Sequence, residues 1–189
     1  MIFPVLKRNI ILLNEQNDSI IEPIISRNYG KIVLYKRQKR VFYSISRKLL
    51  GMQIKIMTGS IEECIRISSL IPEFTGTCYN QKEYENRLLD KHHLILIAYS
   101  DGTPAGFKVG YDRDNNGTFY SWMRGVIPIF RKEGVAKALA KEQEHILIEN
   151  GYKAVEYKTR NYLKPMIIFG LKNGFDIINM IIKEKADQH

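Results

Sequence analysis

The sequence predicts an α+β domain built on one mixed, mostly antiparallel sheet flanked by helices, and three observations carry that prediction. From Met52 to Ile182, strand-like and helix-like stretches follow one another in the order β-α-α-β-β-β-α-β-α-β. Asp101-Gly102 and Asp114-Asn115-Asn116-Gly117 are turn signals that cut residues 93–126 into a three-strand meander. Pro72, Gly151 and Gly174 each stand where a helical pattern stops.

Residues 52–57 alternate, with Met52, Ile54 and Ile56 on one side and Gln53 and Lys55 on the other, which predicts a half-buried strand. Ser60 and Glu63 form a capping box, so a helix is expected from there to about Ile71, with Ile61, Cys64, Ile65 and Ser68 along one face. A loop over 73–80 leads to a second, more polar helix over 81–90. Residues 93–100, 104–111 and 118–126 are the meander strands, the first with the apolar run Leu94-Ile95-Leu96-Ile97-Ala98. Residues 134–150 predict an amphipathic helix. At about 100° per residue, Val135, Ala136, Leu139, Ala140, Ile146 and Leu147 share one arc; Gln143 is the polar exception inside it and Ile148 lies outside. A strand over 153–159, a helix over 163–173 and a strand over 175–182 complete the order, and no internal repeat is present.

The chain has 189 residues, 44% hydrophobic and 26% charged, with 13 Gly and 6 Pro, which excludes collagen-like, low-complexity and disordered classes. One domain of ordinary size plus an extension fits this length, with a core large enough to need no staples. Cys64 and Cys78 carry no CxxC or HxxxH spacing, so neither a disulfide framework nor a metal site is expected, and a reduced, cytoplasmic compartment is. No run approaches the roughly 18 apolar residues of a membrane helix, so no membrane partner is expected. Met1 to Lys7 put the charge after the apolar residues and leave no signal h-region.

Net charge is +9, and residues 1–51 hold ten Lys or Arg against three acids, leaving only +2 for the remainder. The division expected is a basic N-terminal extension over 1–51 and the α+β domain over 52–189, with Met52 as a plausible domain start. Within the extension, 9–13, 31–36 and 41–45 look like short strands, and Lys36 to Arg40 like a charged hairpin tip. The plainer reading is a solvated arm; the sharper one, an anchor for a polyanion, lacks readout chemistry, so nucleic acid is not the expected partner.

The chemistry concentrates between Val126 and Ala136, a segment between a strand and a helix start that contains Pro128, Arg131, Lys132, Glu133 and Gly134. Successive backbone N–H groups and a helix N-terminus there would form an anion cradle. Gly134 and Ala136 are small enough for a phosphate to approach, and Arg131, Lys132 and Lys137 add positive charge. A lone R-x-x-G-x-A is a weak signal, but its place after a meander and before an amphipathic helix strengthens it.

On these residues the chain resembles the GNAT superfamily of acyl-CoA-dependent N-acyltransferases. The resemblance covers residues 52 to about 182, with the [RQ]-x-x-G-x-[GA] signature on Arg131, Gly134 and Ala136 and a second block on Asn161, Met166, Gly174 and Phe175. It implies a GNAT-like sheet with acetyl-CoA as acyl donor. The CoA pyrophosphate would lie on the amides of Lys132, Glu133, Gly134, Val135 and Ala136, with Arg131 beside them. Val126 would pair with the pantetheine arm, and Asn161 would contact the cofactor near the thioester. Three positions depart from the family pattern. Gly170 stands where many members carry a Tyr acid, 120–124 holds no carboxylate, and His189 follows soon after the sixth strand, so the seventh is missing or part of the extension fills its place.

Acyl transfer needs a neutral amine, although a lysine-like amine has a pKa of about 10.4. It also needs a donor for the oxyanion, for which a backbone N–H near Gly125 or Val126 is the candidate. Glu73 in the interhelical loop is the preferred base, beside the plainer reading of a solvated acid. Tyr120, Tyr157 and Tyr162 are the candidate acids, of which Tyr162 is taken forward. Arg124, beside Gly125, points to the acyl site or to solvent. The expected function is an N-acyltransferase moving an acetyl group from acetyl-CoA to an amine by direct attack. The alternatives are a catalytically weak acyl-CoA-binding or regulatory module and a polyanion-binding protein. The partners expected are acetyl-CoA and an amine acceptor of unspecified identity, and a homodimer is left open.

Overall fold

The computed structural model of the chain describes residues 6–15, 53–76 and 78–183. Its strands are β1 (Lys7–Glu15), β2 (Ile54–Thr58), β3 (His93–Ser100), β4 (Thr103–Asp112), β5 (Thr118–Val126), β6 (Ala154–Arg160) and β7 (Asp176–Lys183). Its helices are α1 (Ile61–Ser68), α2 (Gln81–Leu88), α3 (Val135–Glu149) and α4 (Lys164–Lys172), with short 3-10 turns at Pro72–Phe74 and Pro128–Phe130. The strands make one mixed sheet in the order β2-β3-β4-β5-β6-β1-β7. β2 to β5 are antiparallel neighbours. β5, β6, β1 and β7 run parallel.

Local chemistry sets most boundaries. Ser60 and Glu63 close the capping box of α1, and Asn80 with Glu83 closes a second one on α2 that the sequence reading passes over. α1 stops at Ser68 rather than near Ile71, because tight bonds from Leu70 N–H to Ile67 O and from Ile71 N–H to Ser68 O end it before Pro72. Asp101 and Gly102 both take positive φ, 49° and 77°, as a two-residue hairpin turn requires.

β1 contains the short strand expected over 9–13, and its place is inside the sheet rather than in a separate extension. Residues 7–15, assigned from the sequence to the extension, lie between β6 and β7, pairing Lys7 to Leu13 with Ala154 to Arg160 on one side. On the other side Asn9 to Glu15 pair with Asp176 to Lys183. Ile10 has no exposed surface and shares a core cluster with Leu6, Phe119, Leu147, Val155, Tyr157 and Phe175. A strand flanked on both edges and apolar on its inward face is sheet interior, not a solvated arm. The expected strands over 31–36 and 41–45, the hairpin tip at 36–40 and Met52 lie outside the described residues.

Helices cover both faces. Phe107 and Gly110 are an odd number of residues apart on β4 and so face opposite sides. Phe74, in the turn after α1, packs its ring 6.2 Å from that of Phe107. On the other face, the place a Cβ of Gly110 would take lies 3.2 Å from Nε2 of Gln143 on α3. Gln143 is therefore buried, as its place inside the apolar arc implies, while Ala136 in the same arc is exposed at the open end of α3.

Gly170 on α4 is a packing requirement. The Tyr157 hydroxyl occupies the space where its Cβ would stand, and that hydroxyl donates to the Met166 carbonyl at 3.1 Å. Gly170→Ala is expected to cost about 1–3 kcal/mol by overpacking, read as a lowered midpoint in a denaturant melt. An unchanged midpoint would mean that the ring has room to move.

Candidate active site

The site begins where two strands part. β5 and β6 pair only from Thr118↔Ala154 to Tyr120↔Glu156, although β5 continues to Val126 and β6 to Arg160. The divergence starts beside a bulge: Val109 opposes Met123 while Gly110 opposes Ser121, so Trp122 is the extra residue. Bulges bend and twist the strand that carries them, here turning β5 away from its parallel neighbour. The result is a V-shaped notch whose facing edges carry backbone groups with no ladder partner in one another.

The open end of the notch leads into the turn before α3. Lys132 and Gly134 take positive φ, 67° and 87°. Gly134 is the N-cap of α3 with no side-chain cap bond, and the first helical bond runs from Ala138 N–H to its carbonyl. The amides of Val135, Ala136 and Lys137 thus have no intrahelical partner, which is the arrangement that holds a phosphate. Val135 contributes only backbone, since its side chain is core. A Cβ on Gly134 would meet only Ile54 Cδ1, at 3.9 Å, so conformation and not space requires glycine. Gly134→Ala is expected to cost about 1 kcal/mol of stability through φ strain alone, measurable by thermal melt; a neutral result would show that the turn relaxes.

Across the mouth, Arg131 does not stand free over the cradle. Its Nη1 and Nη2 donate to the two carboxylate oxygens of Glu73, each at 2.7 Å, and Nε donates to the Val126 carbonyl at 3.0 Å. The guanidinium beside it holds the Glu73 carboxyl below its ordinary value. Gly125 eases this approach: a Cβ there would lie 2.5 Å from Ile71 Cδ1 and 2.9 Å from Phe74, so a larger residue would push back the side chains beside the loop that carries Glu73. The structure thus brings together a residue expected as base and one expected as a cofactor contact. Next to them, Ser68, Ser69, Phe74, Thr75, Gly76 and Cys78 line a cavity of about 450 Å³.

Residues 61–175 match the sequence profile of the acetyltransferase (GNAT) family. The chain belongs to that family. Among solved structures it is similar to the aminoglycoside N-acetyltransferase AAC(6')-Iy in complex with CoA, at 20% identity and a TM-score of 0.60, covering 73% of this chain and 97% of the other. It is also similar to the ribosomal-protein-S18-alanine N-acetyltransferase of Escherichia coli, at 14% identity and a TM-score of 0.56, covering 65% and 77%. A third is the PaiA N-acetyltransferase of Thermoplasma acidophilum with coenzyme A, at 21% identity and a TM-score of 0.51, covering 67% and 91%. At these identities the likeness is one of fold. A search of curated proteins finds no match.

In this acetyltransferase the far wall of the notch is β6 and the turn after it. Asn161 donates its backbone N–H to the Leu13 carbonyl of β1, and its Oδ1 accepts from Lys164 Nζ at 3.0 Å. Tyr162 is 47% exposed, and its hydroxyl accepts from Arg160 Nη1 at 3.1 Å. The floor holds residues that sequence reasoning left out or undirected. The Arg124 guanidinium lies 3.7 Å from the centre of the Tyr157 ring, so it points into the notch and not to solvent. Burial pulls it down to about 10, which leaves it a cation at neutral pH. Lys108, 6% exposed, stands opposite Arg124 in the ladder, and burial with that second cation drives its amine well below the ordinary lysine value.

Cys64 is in the core with its thiol pushed up to about 12 by burial, so it is inert; Cys78 is exposed. Among the described residues no three His, Cys, Asp or Glu side chains gather as a metal site, and no helix is long and apolar enough to cross a membrane.

Proposed function

We propose that this N-acetyltransferase transfers the acetyl group of acetyl-CoA directly to an amine, with no covalent enzyme intermediate. The observation that carries the reading is the notch between β5 and β6 opening onto the uncapped N-terminus of α3. Acetyl-CoA supplies the acyl carbon, activated as a thioester. The residues present fit its binding: a positive-φ glycine at the cradle, an exposed Ala136 beside it and unpaired first-turn amides.

The amides from Lys132 to Ala136 hold the pyrophosphate, and the unpaired edge of β5 up to Val126 holds the pantetheine arm as an added strand would. Asn161 contacts the arm from the β6 side. A β5 backbone N–H near Gly125 or Val126 donates to the carbonyl oxygen as negative charge develops there. Arg131 exchanges Glu73 for the pyrophosphate when the donor binds, since one guanidinium fork cannot serve both. The released Glu73 carboxylate then takes the proton of the incoming ammonium, directly or through water. Tyr162, exposed beyond the end of β6, supplies the proton for the leaving thiolate through water, because the Tyr157 hydroxyl is committed to Met166.

Calorimetry with acetyl-CoA tests the reading. Saturable binding by the wild-type chain is expected, weakened at least roughly tenfold by Gly134→Trp, the loss of about one charge-assisted hydrogen bond or more. A folded wild-type chain that binds no acetyl-CoA would sink the proposal. Binding without turnover on any of a broad set of amines would favour a regulatory acyl-CoA-binding module, a reading motivated by Gly170 and by the absence of a carboxylate over 120–124.

A further inference from the structure

The notch has a floor, and the floor is a stack of three residues from three elements. Gly170 on α4 leaves open the space that the Tyr157 hydroxyl fills. Tyr157 is fixed there by its bond to the Met166 carbonyl and by the Phe175 ring, whose centre is 5.1 Å away at 62°. Against the face of that ring sits the Arg124 guanidinium, 3.7 Å from its centre. The stack therefore joins β6 to β5 across the gap just past Tyr120↔Glu156, where their ladder ends.

The neighbours of Arg124 explain why it stays there. Lys108, opposite it on β4, is a buried like charge that discourages the side chain from folding back over the sheet. Glu144, the acid whose field reaches Lys108, is engaged by Arg8 Nη2 at 3.1 Å. Among the described residues neither cation has a hydrogen-bonded carboxylate, so the aromatic face is what Arg124 rests on.

Direction follows from the cradle. With the pyrophosphate at the α3 N-terminus, a pantetheine arm laid along β5 runs from the open end of the notch toward the closed end. The acyl group is then its deepest part and meets the Arg124–Tyr157 stack. We propose that Arg124 is a specificity-determining residue: seated on Tyr157, it floors the acyl pocket and limits the donor to a two-carbon acyl group. The inference rests on the donor site proposed above and assigns that site its depth.

The test compares acetyl-, butyryl-, hexanoyl- and succinyl-CoA by calorimetry on the wild-type chain, Arg124→Ala and Arg124→Met. The wild type is expected to bind butyryl-CoA at least about tenfold more weakly than acetyl-CoA, the penalty of an overfilled pocket. Arg124→Ala is expected to reverse the order, gaining roughly fourfold per added methylene, with Arg124→Met between the two. A folded Arg124→Ala whose order of preference is unchanged would overturn the inference. So would a wild type that binds butyryl-CoA as tightly as acetyl-CoA, and that comparison stands even if Arg124→Ala does not fold. A wild type that prefers succinyl-CoA would overturn it too, because the cation would then be a receptor for a carboxylate. A wild type that binds none of these esters, nor free CoA, would instead overturn the donor site itself and this inference with it.

Discussion

Ile10→Asp is expected to remove a large share of the protein's stability and to lower its melting midpoint steeply. Ile10 has no exposed surface, and its Cδ1 lies 2.6 Å from where a Cβ of Gly170 would stand, so it packs directly under α4. An aspartate there puts a carboxylate among Phe119, Leu147, Val155 and Phe175, where the neighbouring Tyr157 hydroxyl already donates to the Met166 carbonyl. The cost is about 4 kcal/mol or more, against a total stability of about 5–15 kcal/mol for a domain. The effect spreads beyond the local clash, because among the described strands β7 is held to the sheet by β1. Lys7→Ser on the same strand, at an exposed position, is expected to stay within about 0.5 kcal/mol of wild type. Far-UV circular dichroism with a thermal melt reads both. A cooperative melt for Ile10→Asp near the wild-type midpoint would mean that β1 is peripheral to stability.

The second large effect is on rate. Glu73→Gln is expected to lower kcat by roughly a hundredfold, the low end of what a positioned general base contributes, with acetyl-CoA affinity unchanged or improved. Affinity holds because glutamine is a weaker partner for Arg131 and leaves that guanidinium readier for the pyrophosphate. The pH behaviour has a definite sign. In the free protein the Arg131 contact, above all its hydrogen bonds, depresses the Glu73 pKa. A depressed carboxyl contributes its stabilisation above its unfolded value of about 4.3 and loses it as pH falls through the lower folded value. Stability from this pair is thus flat around neutrality and declines only in acid. Activity is expected to climb with pH toward about 10.4, where a lysine-like acceptor loses its proton unaided, and the climb is the limb that Glu73→Gln should steepen. An unaltered kcat in the variant would remove Glu73 from the chemistry and leave it as a clasp for Arg131.

Much of the fold was legible because its signals are local. Ser60 with Glu63, Asp101-Gly102 and Gly151 act on neighbours a few residues away, and the strands at 93–100 and 118–126 appear with the expected bounds. Asn80 with Glu83 carried the same kind of signal and was readable in principle. That part of the extension could complete the sheet was legible, but the neighbours of β1 were not: a parallel pairing is set by contacts between distant segments, and Asn9 to Leu13 say only that they prefer extended backbone. The cradle at Gly134 was visible as a spacing. That Arg131 would turn to Glu73, or Arg124 to Tyr157, depends on which loops and strands tertiary packing brings side by side. Residue types alone do not state it.

The position of β1 also sets a timetable. Its partners in the ladder are residues 154–160 and 176–183, so on the ribosome the strand emerges before both of them and waits for each before it can be inserted. Until then Ile10, Ile11, Leu12 and Leu13 travel with the nascent polypeptide as an unpaired apolar edge, the kind of segment that recruits holding chaperones or seeds aggregation. Closure of the sheet is accordingly a late, non-local event, and slow folding follows from the wiring of the strands rather than from any weakness in their sequence.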